Sequence, residues 1–205
     1  MLSKIKISTK AFNLAVFFGL LCAVFLSFAD FNASCEDLRT NVLRLHIIAN
    51  SDSQEDQELK LKIRDRTLAE SGDLFEGITN IDEAISVANE NIELYCGIAN
   101  KVITENGFKY KAEAYISDSY FETREYENFT LPAGIYKSLI VSVGEAKGKN
   151  WWCVIFPEVC LPAAAADLSD TVNKENAEIA EQPQKYIMRF KAVEIYENIK
   201  KLIKQ

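Results

Sequence analysis

His46 is the single histidine of this 205-residue chain, and Ser51, Asp52 and Ser53 follow it closely. Imidazole, carboxylate and hydroxyl are the parts of a nucleophilic hydrolase. The surrounding sequence lacks the rest of that machinery. It has no Gly-x-Ser-x-Gly elbow, and no glycine stands beside the serines to open an oxyanion hole. A simpler reading has Ser51, Asp52 or Ser53 capping a helix while His46 packs beside Arg44. No residue is assigned as catalytic. A secreted hydrolase or cell-wall-acting enzyme built on His46 and Asp52 stays as the alternative.

The second constellation lies in "NWWCVIFPEVC", residues 150–160. Cys153 and Cys160 are too far apart for a zinc knuckle and do not form a Cys-x-x-Cys redox motif. The chain also lacks a phosphate-binding glycine loop and a dinucleotide fingerprint. No metal and no cofactor is expected. A Cys153–Cys160 disulfide requires a fold-back, since seven extended steps span about 23 Å and bridged Cα atoms sit about 5.5 Å apart. Pro157-Glu158 can supply that turn, and closing so short a loop would contribute about 2–3 kcal/mol. Two separately buried thiols are the other reading. Trp151 and Trp152 point to opposite faces of a strand. Both faces of "WWCVIF" are apolar, so each tryptophan is either core or contact surface.

These residues need elements to place them. "NVLRLHIIAN" (41–50) alternates as a strand with one apolar face and a second face carrying Arg44 and His46. A helix follows from about Gln54 to Glu70, capped by the "SDS" ahead of it and supported by Asp56–Lys60 and Glu58–Lys62 pairs. Ile81, Ile85, Ala88, Ile92, Tyr95, Ala99 and Val102 form a long stripe, predicting one further helix that stops at Asn106-Gly107. Strands are expected at 108–116, 135–143 and 151–156. "GEAKGKN" (144–150) reads as a hairpin loop between the last two. The fold class is α+β: a small antiparallel sheet with two helices packed on it. A signal or anchor helix precedes it, and a linker and an amphipathic helix follow.

The N-terminus sets the compartment. Lys4, Lys6 and Lys10 flank or lead into an apolar run over 11–29, and Ser27-Phe28-Ala29 offers small residues where a signal peptidase reads, with Ala29 at the cut. Residues 1–29 are a secretory signal or an uncleaved membrane anchor. The domain spans 36–162, an acidic linker 163–184, and the amphipathic helix 185–205. Met188, Ala192, Ile195, Ile199 and Leu202 form the seam of that last helix. Net charge is −7 and pI about 4.9, which argues against nucleic acid. Removing 1–29 takes three of the 23 basic residues and none of the 30 acidic ones, leaving −10. Oligomeric state is not legible.

"LRLHIIANSDSQEDQELKLKIRD" (43–65), "LPAGIYKSLIVSVGEAKGKNWWCVIFPEVC" (131–160) and the signal segment ahead of them resemble the stage II sporulation protein R family of endospore-forming bacteria. "MRFKAVEIYENI" (188–199) resembles that family's tail more loosely. The resemblance implies a non-enzymatic signalling protein, exported from the forespore into the intermembrane space. There it would trigger a membrane-embedded aspartic protease of the mother cell, which removes the pro-sequence of sigma factor E. The expected contacts are drawn from polar and aromatic side chains on the strand around His46 and at the strand ends: Arg44, His46, Asn50, Asp52, Asn150, Trp151 and Trp152.

Overall fold

The computed structural model of the chain describes residues 8–126, 129–157 and 174–203. Its first element is α1, Thr9–Thr40, a single helix with no break at residue 29. Large apolar side chains from Phe12 to Leu26 are exposed on every side, whereas Phe31, Cys35, Leu38 and Arg39 are buried. The helix therefore passes from an apolar rod straight into the fold. Its last turns, from Phe31 onward, belong to the core rather than to the apolar run.

Strand β1, Leu43–Ile48, comes next, and helix α2, Gln54–Ser71, follows it. Ser53 caps α2 by accepting from the Asp56 amide at 3.2 Å. The expected i,i+4 pairs are not made. Lys60 donates to Gln57 and to the Lys149 carbonyl, and Lys62 to Asn106. Tertiary acceptors outcompete the exposed carboxylates, whose pairing in water contributes little.

The long apolar stripe becomes two helices, α3 (Ile81–Glu90) and α4 (Ile92–Glu105). Asn91 divides them. Its backbone N–H and its side-chain amide both donate to the Val87 carbonyl, which lets a side chain compete with the helical ladder. The stripe survives the break, because Ala84, Ala88, Tyr95, Ala99, Val102 and Ile103 still share one core.

The remaining strands are β2 (Ala112–Phe121), β3 (Arg124–Glu125), β4 (Thr130–Leu131), β5 (Gly134–Val143) and β6 (Asn150–Phe156). The main sheet has the order β2-β5-β1-β6, and β3-β4 form a small separate pair. This sheet is mixed: β1 runs parallel to β5 and antiparallel to β6, while β2 is antiparallel to β5. The expected hairpin between β5 and β6 is thus replaced by a connection that skips over β1. Two strand spacings, about 10 Å, separate its ends, and the loop bridges them by bonding to the chain leaving β1. The amides of Lys147 and Gly148 donate to the carbonyls of Asn50 and Ala49.

Inserting β1 in the middle explains its burial on both faces. Leu43, Leu45 and Ile47 meet the α2–α4 side in one core. Val42 packs with Leu38, Phe121, Tyr136 and Val154 on the other. Helix α5, Lys174–Glu181, falls within the expected linker. Its Ala177 and Ala180 are buried against that second cluster, and Asn176 donates to Asp37 at 2.7 Å. Alanines allow the close approach that larger side chains would block. Helix α6, Ile187–Ile203, closes the chain and packs Phe190 and Val193 on Phe31 and Cys35.

Candidate partner-binding face

Arg44 and His46 project from β1 onto the face opposite α2 and α4. Arg44 is fully buried, with its guanidinium carbon 3.9 Å above the Phe121 ring and 4.9 Å from that of Tyr136. It donates to the Tyr126 hydroxyl at 2.6 Å, while its Nε and Nη1 have no hydrogen-bond partner. Burial lowers its pKa, and the electron-rich Tyr126 opposes that. Ring faces here do the work a carboxylate does elsewhere.

His46 lies one step along, half-buried, with its ring 5.9 Å from Phe121 and 6.0 Å from Trp152. No well-formed hydrogen bond reaches either ring nitrogen, and the Asn150 side chain interacts with the ring. Burial pushes its pKa below the ordinary value; the Asn150 side chain opposes that, and the Arg44 charge adds to the lowering. Trp152 completes the row. It sits opposite His46 in register, touches Phe121 at 5.6 Å and lies beneath Arg124 at 5.1 Å. Its indole N–H is also without a partner. Trp151 turns to the other face, where Arg64 covers it at 5.1 Å. Both tryptophans are half-buried.

Asn50 and Asp52 are used inside the molecule. Asn50 Oδ1 accepts from the Glu145 amide at 3.0 Å, and its Nδ2 donates to Asp56 at 2.8 Å. Asp52 accepts from the Lys149 amide at 2.6 Å. Ser51 donates to Asp56 at 2.5 Å. Asp56 is buried, which by itself raises its pKa; the bonds from Ser51 and Asn50 outweigh that and hold it below its ordinary value. Two glycines make room for this network. A Cβ on Gly144, at φ +58°, would run into the Asn50 side chain, and one on Gly148 into the Ser51 carbonyl. The loops therefore clamp each other and fix Asn150, the exposed first residue of β6.

Asp52, Ser51 and Ser53 are thus each engaged away from His46, and no hydrolytic triad is assembled from them. No group of three or more metal-ligating side chains occurs among the described residues. Cys153 is buried in β6; Cys160 lies outside the described residues, and so does the expected pairing between them. Phe121, Tyr126, Tyr136 and Arg124 were not singled out from sequence. The available signal was the aromatic content of "SDSYFETREYENF" (117–129), which alternation alone reads as loop.

A family model, stage II sporulation protein R, matches residues 39–166, more than half of the chain. The chain belongs to the stage II sporulation protein R family. The match begins at the buried end of α1 and takes in the whole sheet. It therefore covers Arg44, His46, Trp152 and both clamping glycines. A stage II sporulation protein R of Bacillus subtilis (strain 168) is 36% identical over 118 residues, 58% of this chain. The match spans about half of that relative, 53% of its length. No solved structure matches. Membership places the chain among sporulation proteins.

Proposed function

We propose that the chain is an exported, non-catalytic sporulation signal. It would engage a membrane-embedded aspartic protease of the mother cell and cause that protease to process the pro-form of sigma factor E. Family membership supports the sporulation role. The exposed apolar stretch of α1 supports export, as a signal or as an anchor; its mean hydropathy reaches 2.3 over an 18-residue window.

One observation favours recognition through the His46–Trp152 face. The indole N–H of Trp152 lacks a hydrogen-bond partner, and beside it the imidazole of His46 has no well-formed bond and only the Asn150 side chain to interact with; both rings are half-buried. Buried polar atoms are normally satisfied. A small reorientation of these rings against a partner would satisfy them, and Arg124 and Asn150 frame the same surface, with the buried Arg44 beneath it. Aromatic and arginine side chains are also the usual anchors of interfaces. In this reading Asn50 and Asp52 contribute by holding the loop that carries Asn150. The Cys153–Cys160 bridge is proposed as a lock on the same strand. Intact mass of the exported protein with and without reductant tests it, and an unchanged free-thiol count would sink it.

The test is co-expression of the chain with the candidate membrane protease and pro-sigma substrate in a host lacking both. Processing is expected only when all three are present. Trp152→Ala should lower it at least tenfold while the protein stays folded by circular dichroism. A folded His46→Ala that leaves processing intact removes catalysis by this chain from consideration. Full processing by a folded Trp152→Ala protein refutes this face.

A further inference from the structure

Helix α6 has two apolar faces, and the fold uses one. Phe190 and Val193 are buried on α1, and Glu197 lies 3.8 Å from Arg39. On the other side Met188, Ile195, Ile199 and Leu202 are exposed by 82, 56, 52 and 72%. Spacings of seven, four and three residues put all four on one stripe.

The position of that stripe is set by α1. The Tyr196 ring meets Phe28 at 5.8 Å, and the rings of Tyr186 and Phe190 meet Phe31 at 5.7 and 5.3 Å. Phe28 is the penultimate residue of the apolar run, and α1 continues through it unbroken. Tyr196 reaches back to Phe28 while its neighbour Glu197 reaches forward to Arg39. Those two points are about 16 Å apart along α1. The middle of α6 therefore lies within about one helix diameter of the end of the apolar run. With that run in a bilayer, α6 is at headgroup level.

Its charges suit that level. Arg189, Lys191, Lys200 and Lys201 outnumber the acids Glu194 and Glu197, which pair with Lys191 at 3.2 Å and Lys200 at 3.3 Å, while Lys201 lies 4.6 Å over the Tyr120 ring. The helix as a whole is thus net basic in a chain whose net charge is −7.

We propose that α6 is an interfacial helix. Met188, Ile195, Ile199 and Leu202 enter the surface of the same membrane that α1 enters, and the flanking lysines meet anionic phospholipid headgroups. The proposal does not depend on the identity of the protease.

The test uses the full-length chain with Cys22→Ala, which removes the exposed thiol of α1. A polarity-sensitive fluorophore is placed at Ile199→Cys and, in a separate sample, at the exposed Lys101→Cys on α4. Both are reconstituted into phosphatidylcholine vesicles with and without phosphatidylglycerol, carrying spin label high on the acyl chain. At least twofold quenching is expected at 199 with phosphatidylglycerol present, and none at 101. Lys191→Gln with Lys201→Gln, which leave the Glu197 docking contacts in place, should abolish the difference between lipids. Equal, weak quenching at both positions overturns the proposal. So does a probe at 199 that is shielded from aqueous iodide, unquenched by lipid, and close to its counterpart on another chain by energy transfer. That result would assign the stripe to a second copy. Ile195→Cys replaces Ile199→Cys should the latter not fold.

Discussion

Arg44 is a cation held by aromatic rings and one phenol. Removing the hydroxyl of Tyr126 removes its only hydrogen bond among the described residues. Tyr126→Phe is expected to cost about 1.5–3 kcal/mol, because the bond is to a charged, fully buried group. Urea unfolding measures this; an unchanged midpoint would mean the rings alone suffice. His46 makes a prediction about pH. Its folded pKa is lowered from an ordinary 6.5, so the unfolded chain binds the proton more readily. Stability is then complete above about pH 6.5 and is lost progressively as pH falls below it, down to the folded pKa. Asp56 is also lowered, from 3.8, and its loss comes only at more acid pH. Between pH 7.5 and 5, the wild-type urea midpoint should therefore fall more than that of His46→Gln. Parallel curves would show that His46 is not the group responsible.

At the scale of elements, the strands were visible as alternation, but their partners were not. Side chains alternate with the same period in parallel and antiparallel strands. The pattern of β1 thus carries no mark of its insertion between β5 and β6. What makes that insertion workable is the glycine clamp on the loop. Gly148→Ala is expected to cost about 1–3 kcal/mol through collision with the Ser51 backbone. The change should also loosen Asn150, read as faster amide exchange in 144–150. A neutral result would mean the loop shifts freely and does not hold the end of β1. Likewise, the division of α3 from α4 turns on a single asparagine amide bonding back to Val87, which a stripe of apolar residues does not reveal.

For the whole molecule, the N-terminal apolar run and the domain share a helix. Phe31, Cys35 and Leu38 are buried, and the buried Arg39 donates to the Ala133 carbonyl and pairs with Glu36. A chain beginning at Asp30 keeps these contacts and should fold. A chain beginning at Val42 loses three buried apolar side chains, on the order of 5 kcal/mol, and the docking surface of α6 with them. Limited proteolysis should then release residues C-terminal to 174 early. Equal protease resistance of the two chains would show that the end of α1 is dispensable.

The sequence by itself determined the N-terminal apolar helix, the capped helix after β1, the strands, the amphipathic tail and the family resemblance. Each of these is written in local composition or periodicity, which a short window contains. Tertiary structure alone decided which strands pair, that α1 runs on into the core, and that α5 packs where a linker was expected. It also decided that Asn50 and Asp52 are spent on loop closure while Trp152, His46 and Arg44 share one face. These are outcomes of competition between distant groups for the same carbonyls, rings and buried surface. No single stretch of chain contains both competitors.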